Sequence, residues 1–151
     1  MTSTCPACGA VHTGDATCQS LFDSLLVLEF SDPAYGAVHM FTVACFMIQH
    51  GRYSDAALTW IAEQLRAVLQ DGRTPQQIRQ AVNRQVDHSA RTWKVNRSPQ
   101  EPPLPHVAWS MTIADVTRQY TDAASYCRLV TLWAQRTLAE MSPLLPPLKQ
   151  P

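Results

Sequence analysis

The tripeptide Ser31-Asp32-Pro33 constrains this chain more than any other feature. Before it, Leu21, Phe22, Leu25, Leu26 and Leu28 recur at helical spacing and predict a helix from about Thr17 to Phe30. After it, Pro33 suits the first position of a second helix, with Asp32 as its N-cap. That helix is expected to reach Gln49 and to stop at Gly51. Two helices joined by so short a turn pack antiparallel as neighbours. Facing residues in such a hairpin have nearly constant number sums, here near 64 to 68. Cys18 with His50 and Glu29 with His39 both give 68. Eleven residues separate Cys18 from Glu29, and His39 from His50, so each pair of positions returns to nearly one helix face.

The first sixteen residues predict a metal knuckle. Pro6, Gly9 and Gly14 forbid a long helix there. Cys5-Pro-Ala-Cys8-Gly9 has the turn that zinc requires: two thiolates two residues apart, with a flexible glycine behind the second. A redox pair would call for a helix start after a strand, and the sequence shows no strand. The hairpin register supplies two more ligands, so Cys5, Cys8, Cys18 and His50 form the expected zinc set. His39 is the alternative fourth ligand, but it lies three helical turns from His50, ~16 Å along the axis. His12 and Cys45 are weaker substitutes. Cys45 and Cys127 are expected to be core thiols.

Glu29 and His39 form a second polar pair on the same apolar seam. A lone buried carboxylate is costly, and His39 is its natural partner. Such a pair serves either as an interhelical hydrogen bond or as an acid–base or second-metal site. In the enzymatic case Glu29, His39 and Thr42 are the catalytic candidates. His88 and His106 have no ligand spacing. No phosphate loop, serine elbow or HExxH motif occurs.

Farther along, Ser54 is expected to cap a third helix bearing Leu58, Ile61, Leu65, Val68 and Leu69, ended by Gly72. Thr74 and Pro75 open a fourth, with Ile78, Val82 and Val86. Four prolines between Asn96 and Pro105 predict a rigid crossing. Thr112-Ile-Ala-Asp115 is a capping box, and the last long helix carries Tyr126, Val130, Trp133, Leu138 and Met141. With 46% hydrophobic residues, 16% charged and five glycines, the chain favours helices over a β-sandwich. The expected fold is one all-α bundle of about five helices over 1–151, with the zinc knuckle packed on the first helix hairpin. Its parts are the knuckle (1–16), a four-helix core (17–95), the proline crossing (96–111), a C-terminal helical segment (112–142) and a tail (143–151).

Twelve basic and twelve acidic residues cancel, so a nucleic-acid partner is not expected. The balance hides an asymmetry: residues 1–51 hold four acids and no Lys or Arg, whereas 52–98 hold eight basic residues against four acidic. The two segments are expected to attract each other within the fold. Arg84 and Arg91 share a helix face but Arg79 does not, so no phosphate-binding stripe forms. The charge-free run Pro33–Gly51 has a membrane span's length, but Tyr35, His39, Thr42, Gln49 and His50 mark it as a buried helix. The N-terminus lacks the features of a signal peptide, and the expected compartment is the cytoplasm.

The constellation Cys5-Pro-Ala-Cys8-Gly9, Cys18 with Phe22, Glu29-Phe-Ser-Asp-Pro-Ala-Tyr-Gly-Ala-Val-His39, Thr42-Val43 and Gln49-His50 resembles an uncharacterised bacterial domain-of-unknown-function family of small proteins. Thr112-Ile-Ala-Asp-Val116 and Trp133-Ala134 resemble it too. Many relatives have Pro after the Gln-His pair, where this chain has Gly51. The resemblance implies no activity. Three thiolates make a zinc ion electron-rich, which favours a structural site. The expected function is therefore a zinc-binding accessory or regulatory factor with a small-molecule or protein partner. The alternative is a small-molecule metalloenzyme or acid–base enzyme, using an open zinc position or the Glu29–His39 pair.

Overall fold

In the computed structural model, residues 1–74, 76, 77, 80 and 93–147 are described. Two short antiparallel strands open the chain, β1 (Thr2–Thr4) and β2 (Val11–Thr13), with Thr2 opposite Thr13. The knuckle is thus the tip of a β-hairpin and not only a loop. Alternation along β2 shows why. His12 turns inward and is buried, while Val11 and Thr13 face out.

Thr17 then starts α1 (Cys18–Ser31) through a reciprocal capping box with Ser20. At its far end the Asp32 carboxylate accepts from the Ala34 N–H at 3.0 Å, and Pro33 takes the first position of α2 (Pro33–Gly36). The helix expected to run unbroken from Pro33 to Gln49 is interrupted. Val38, at φ −107° and ψ 15°, leaves helical geometry and caps α3 (His39–Gln49). His39 is thereby the first residue of α3 rather than a mid-helix one.

Gly36 explains how closely the first turn folds back. A Cβ built there would lie 2.7 Å from the Glu29 carbonyl oxygen, against a backbone atom that cannot swing away. Gly36→Ala is therefore expected to push α2 off the end of α1 and to cost about 1–3 kcal/mol. Thermal unfolding checks this, and an unchanged melting temperature would contradict it.

Ser54 caps α4 (Asp55–Leu69), accepting from the Ala57 N–H at 3.1 Å, and its own hydroxyl donates to the Lys94 carbonyl. Thr74 Oγ1 accepts from Gln77 N–H at 3.2 Å, as expected of a cap. The body of the predicted fourth helix, with Ile78, Val82, Val86, His88 and the Arg79, Arg84 and Arg91 face, lies outside the described residues. After the proline crossing come α5 (Ile113–Gln119) and α6 (Ala123–Glu140). Asp115 accepts from the Thr112 N–H at 2.8 Å to start α5. A 3-10 turn, Ser142–Leu144, follows.

The described residues are mostly helical, with six α-helical segments and the small two-stranded sheet. The central helix is α6. It packs on α2, α3, α4 and α5, and Tyr126, Val130, Trp133 and Ala134 on its inner face are fully buried. Phe22 of α1 stacks on Phe46 of α3 with ring centres 3.9 Å apart. Cys45 lies in this core as expected, and burial pushes its thiol up to about 12. Cys127 does not. It is partly exposed on α6 and donates to the Ala34 carbonyl at 3.3 Å. Among the described residues, no helix is long and apolar enough to cross a membrane.

Candidate metal centre and the buried carboxylate

The tip of the β-hairpin is shaped by its own backbone. Gly9 donates to the Cys5 carbonyl at 2.9 Å, and the Cys5 N–H bonds to the Ala10 carbonyl at 2.8 Å. Gly9 sits at φ +83°, in the left-handed region that favours glycine. The Ala10 N–H points at Cys8 Sγ, 3.4 Å away. This turn aims both thiols to the same side.

Cys18, in the first turn of α1, and His50, at the end of α3, meet them there. One ligand atom from each of Cys5, Cys8, Cys18 and His50 lies within 4.8 Å of all the others. Cys8 Sγ is 3.5 Å from Cys18 Sγ, and Cys5 Sγ is 3.7 Å from His50 Nε2. Zinc with Zn–S near 2.3 Å and Zn–N near 2.0–2.1 Å gives tetrahedral edges of roughly 3.8 Å for S···S and roughly 3.6 Å for S···N. The Cys8–Cys18 and Cys5–His50 separations lie within a few tenths of an ångström of those edges, and the four residues could hold an ion. Three sulfurs and one imidazole are a soft donor set suited to zinc or another thiophilic metal.

The surroundings orient these four side chains. His50 Nδ1 donates to the Phe46 carbonyl at 2.7 Å, which leaves the Nε2 lone pair facing the cysteines. Burial lowers the basicity of His50, and the Arg52 and His12 charges add to this against the Phe46 hydrogen bond, so the neutral ligand form is favoured. Burial pushes the Cys8 thiol up, and it pushes Cys18 up further with the neighbouring cysteines. For Cys5, burial acts upward, but the N–H groups of Cys8 and Ala7 outweigh it and the net shift is downward. His12 is not one of the four. Its Nε2 stands 3.0 Å from Cys18 Sγ, beside a ligand rather than in the cluster.

At the other end of the α1–α3 seam, Glu29 and His39 meet as the register predicts. Cys18 near His50 and Glu29 near His39 together make α1 and α3 antiparallel. Glu29 Oε1 accepts from His39 Nδ1 at 2.7 Å, and Oε2 accepts from Thr42 Oγ1 at 2.5 Å. Tyr126 OH donates to the same Oε2. A carboxylate can only accept, so His39 donates through Nδ1. The Glu29 side chain is 1% exposed, whereas that of His39 is 39% exposed. Burial first, then the Glu29 carboxylate, raises the Tyr126 phenol far above its ordinary value, so it remains a donor.

Tyr126 is the member that sequence reasoning missed. Its position on the last helix reads as core, which it also is, and nothing in its spacing ties it to a residue 97 positions earlier. His12 was read as a substitute ligand. The alternation of β2 was the available signal that it turns inward toward Cys18.

No curated protein and no solved structure matches the chain. The model of a family of unknown function, DUF5946, matches residues 3–142, and the chain belongs to that family.

Proposed function

We propose that this protein is a zinc-stabilised binding factor whose metal closes the β-hairpin onto the open end of the α1–α3 hairpin. The observation that carries this reading is the gathering of three thiols and one imidazole within 4.8 Å of one another. Four protein ligands complete a zinc coordination sphere, and such closed sites supply folding free energy rather than an activated water. His12 supports the same role. Its Nε2 stands 3.0 Å from Cys18 Sγ, and the tautomer with its proton there would draw charge from a ligating sulfur and make it a poorer nucleophile.

Metal analysis of protein purified without added metal tests the reading, with about one zinc per chain expected. Cobalt substitution should give the visible ligand-field bands of a tetrahedral thiolate-rich site. Protein free of metal, unable to take up zinc or cobalt, would refute it.

A second reading rests on the exposure of His39. Its Nδ1 is held by a buried carboxylate while its ring is partly exposed, an arrangement suited to acid–base chemistry. In that reading Glu29 and Thr42 position His39, and His39 alone meets the substrate.

A further inference from the structure

The proline crossing takes no part in the metal cluster or in the Glu29 network. Pro102, Pro103 and Pro105 each fix their own φ near the polyproline II value. A proline also drives the residue before it, here Glu101, Pro102 and Leu104, toward the same region. The segment folds accordingly. Residues 102–109 form no helix or strand, and no backbone group from Pro103 to Trp109 bonds to another of the described residues.

Burial along the segment repeats at every third residue. Glu101, Leu104 and Val107 are half-buried, while Pro102, Pro103, Pro105 and His106 between them are exposed. A polyproline II helix has about three residues per turn, so this is the pattern of such a helix lying with one ridge against the core. Leu104 and Val107 pack there. Pro102 and Pro105 share a second ridge, Pro103 and His106 the third, and both are open to solvent.

Both ends of the segment are clamped. The Pro102 carbonyl accepts from Arg97 Nε at 3.2 Å and from Nη2 at 2.6 Å, and Arg97 is itself tied to Asp55 at 2.8 Å. Glu101 accepts from the Ser98 N–H at 3.0 Å. At the far end the Ser110 N–H donates to Glu140 at 2.9 Å, and the Met111 carbonyl accepts from Gln49 at 2.9 Å. Folding therefore orders the segment, so a partner that binds it loses little further entropy. The segment also forms one wall of a cavity of about 560 Å³ beside the knuckle, which it shares with Pro6 and Gln49. Pro103, Pro105 and His106 border this space, so a ring from a partner has room to lie against them.

We propose that Pro102-Pro103-Leu104-Pro105-His106 is a docking ridge for a protein partner, which receives it as a polyproline II ligand in a groove of aromatic side chains. Flat aromatic rings pack against exposed proline rings, and the unpaired carbonyls from Pro103 onward accept from the Trp and Tyr donors of such grooves. Addition of the segment to a sheet edge is disfavoured, because residues 102, 103 and 105 have no N–H to pair. This names the partner class for the binding role proposed above and rests on that reading, though not on its metal.

The test titrates the full chain into isotope-labelled isolated WW, SH3 and EVH1 domains, with the zinc content of each sample measured. At least one domain is expected to bind saturably, shifting the indole N–H of its groove tryptophan, and decaproline should displace the chain. Pro102→Ala with Pro105→Ala should weaken binding at least tenfold while circular dichroism stays that of the wild type. Val27→Ser, at an exposed apolar position on α1, should leave binding unchanged. If the double variant does not fold, Pro103→Ser alone should weaken binding at least threefold. Zinc-loaded protein that binds none of the domains, or binding that the proline variants keep or decaproline fails to displace, overturns the proposal and leaves the metal reading intact. Binding by protein that takes up no zinc would overturn the metal reading alone.

Discussion

Cys8→Ser should lower the stability of this protein by on the order of 5 kcal/mol, and strong chelation of the wild type should do nearly the same. Structural zinc in isolated fingers is worth about 10–16 kcal/mol of binding free energy. Here a core built on α6 exists without the metal, so only part of that total appears as folding free energy. For a chain of this size each kcal/mol moves the melting temperature by roughly 2–4 °C. A fall of about 10–20 °C is expected, read by circular dichroism or calorimetry. The helices should survive at room temperature, while the amides of residues 1–16 lose their dispersion.

The same centre should be sensitive to pH with a definite sign. Burial raises the thiols of Cys8 and Cys18 in the metal-free protein, so these groups hold protons that zinc must displace. Zinc affinity should therefore rise with pH and weaken as the solution is acidified, and binding in weakly buffered solution should release protons. Cys8→Ser protein that melts with the wild type, or zinc affinity flat between pH 6 and 8, would show that the cluster does not hold the fold together.

The second large effect is expected at Glu29. Glu29→Ala would leave His39 Nδ1, Thr42 Oγ1 and Tyr126 OH without their acceptor, the latter two on residues with no exposure. Each buried donor left unpaired costs about 1–3 kcal/mol, and the costs do not add fully. A loss of about 3–5 kcal/mol is expected, roughly 6–20 °C in melting temperature. Glu29→Gln should cost much less. Its amide can still accept from His39 and can donate to two hydroxyls that rotate to receive it.

His39→Ala separates the structural role from a chemical one. The imidazole is half-exposed, so its loss should cost only about 1 kcal/mol or less. If the pair is structural, the stability order Glu29→Ala, Tyr126→Phe, His39→Ala follows burial. If His39 meets a substrate, His39→Ala should abolish turnover in a protein that is otherwise stable. Equal melting temperatures for wild type and Glu29→Ala would remove the basis of both readings.

What could be read along the chain is what short-range geometry fixes. Thr17, Asp32, Ser54 and Thr112 act at helix starts within three residues of themselves, and each was legible. The Ser31-Asp32-Pro33 turn is so short that it leaves the two flanking helices one way to pack. That is why Cys18 with His50 and Glu29 with His39 could be paired by number alone. The cluster of Cys5, Cys8, Cys18 and His50 follows from this register together with the local turn of Cys5 to Gly9.

The tertiary structure decided what no short turn transmits. Tyr126 reaches Glu29 only because α6 occupies the centre of the bundle, and its placement depends on packing against four other helices. Val38 breaks the second helix where a periodic apolar pattern runs on, just after Gly36 makes its close approach to the Glu29 carbonyl. Cys127 is only partly buried, at the margin of the core beside Ala34, since how deeply each side of a helix is buried is settled by its neighbours. The cavity beside the knuckle joins residues 6, 49 and 107, and loops of such separation meet only in the folded chain. Sequence fixes contacts whose connecting segment is too short to allow alternatives. Once the connection is long, the choice passes to burial and to the pairing of polar groups inside the core.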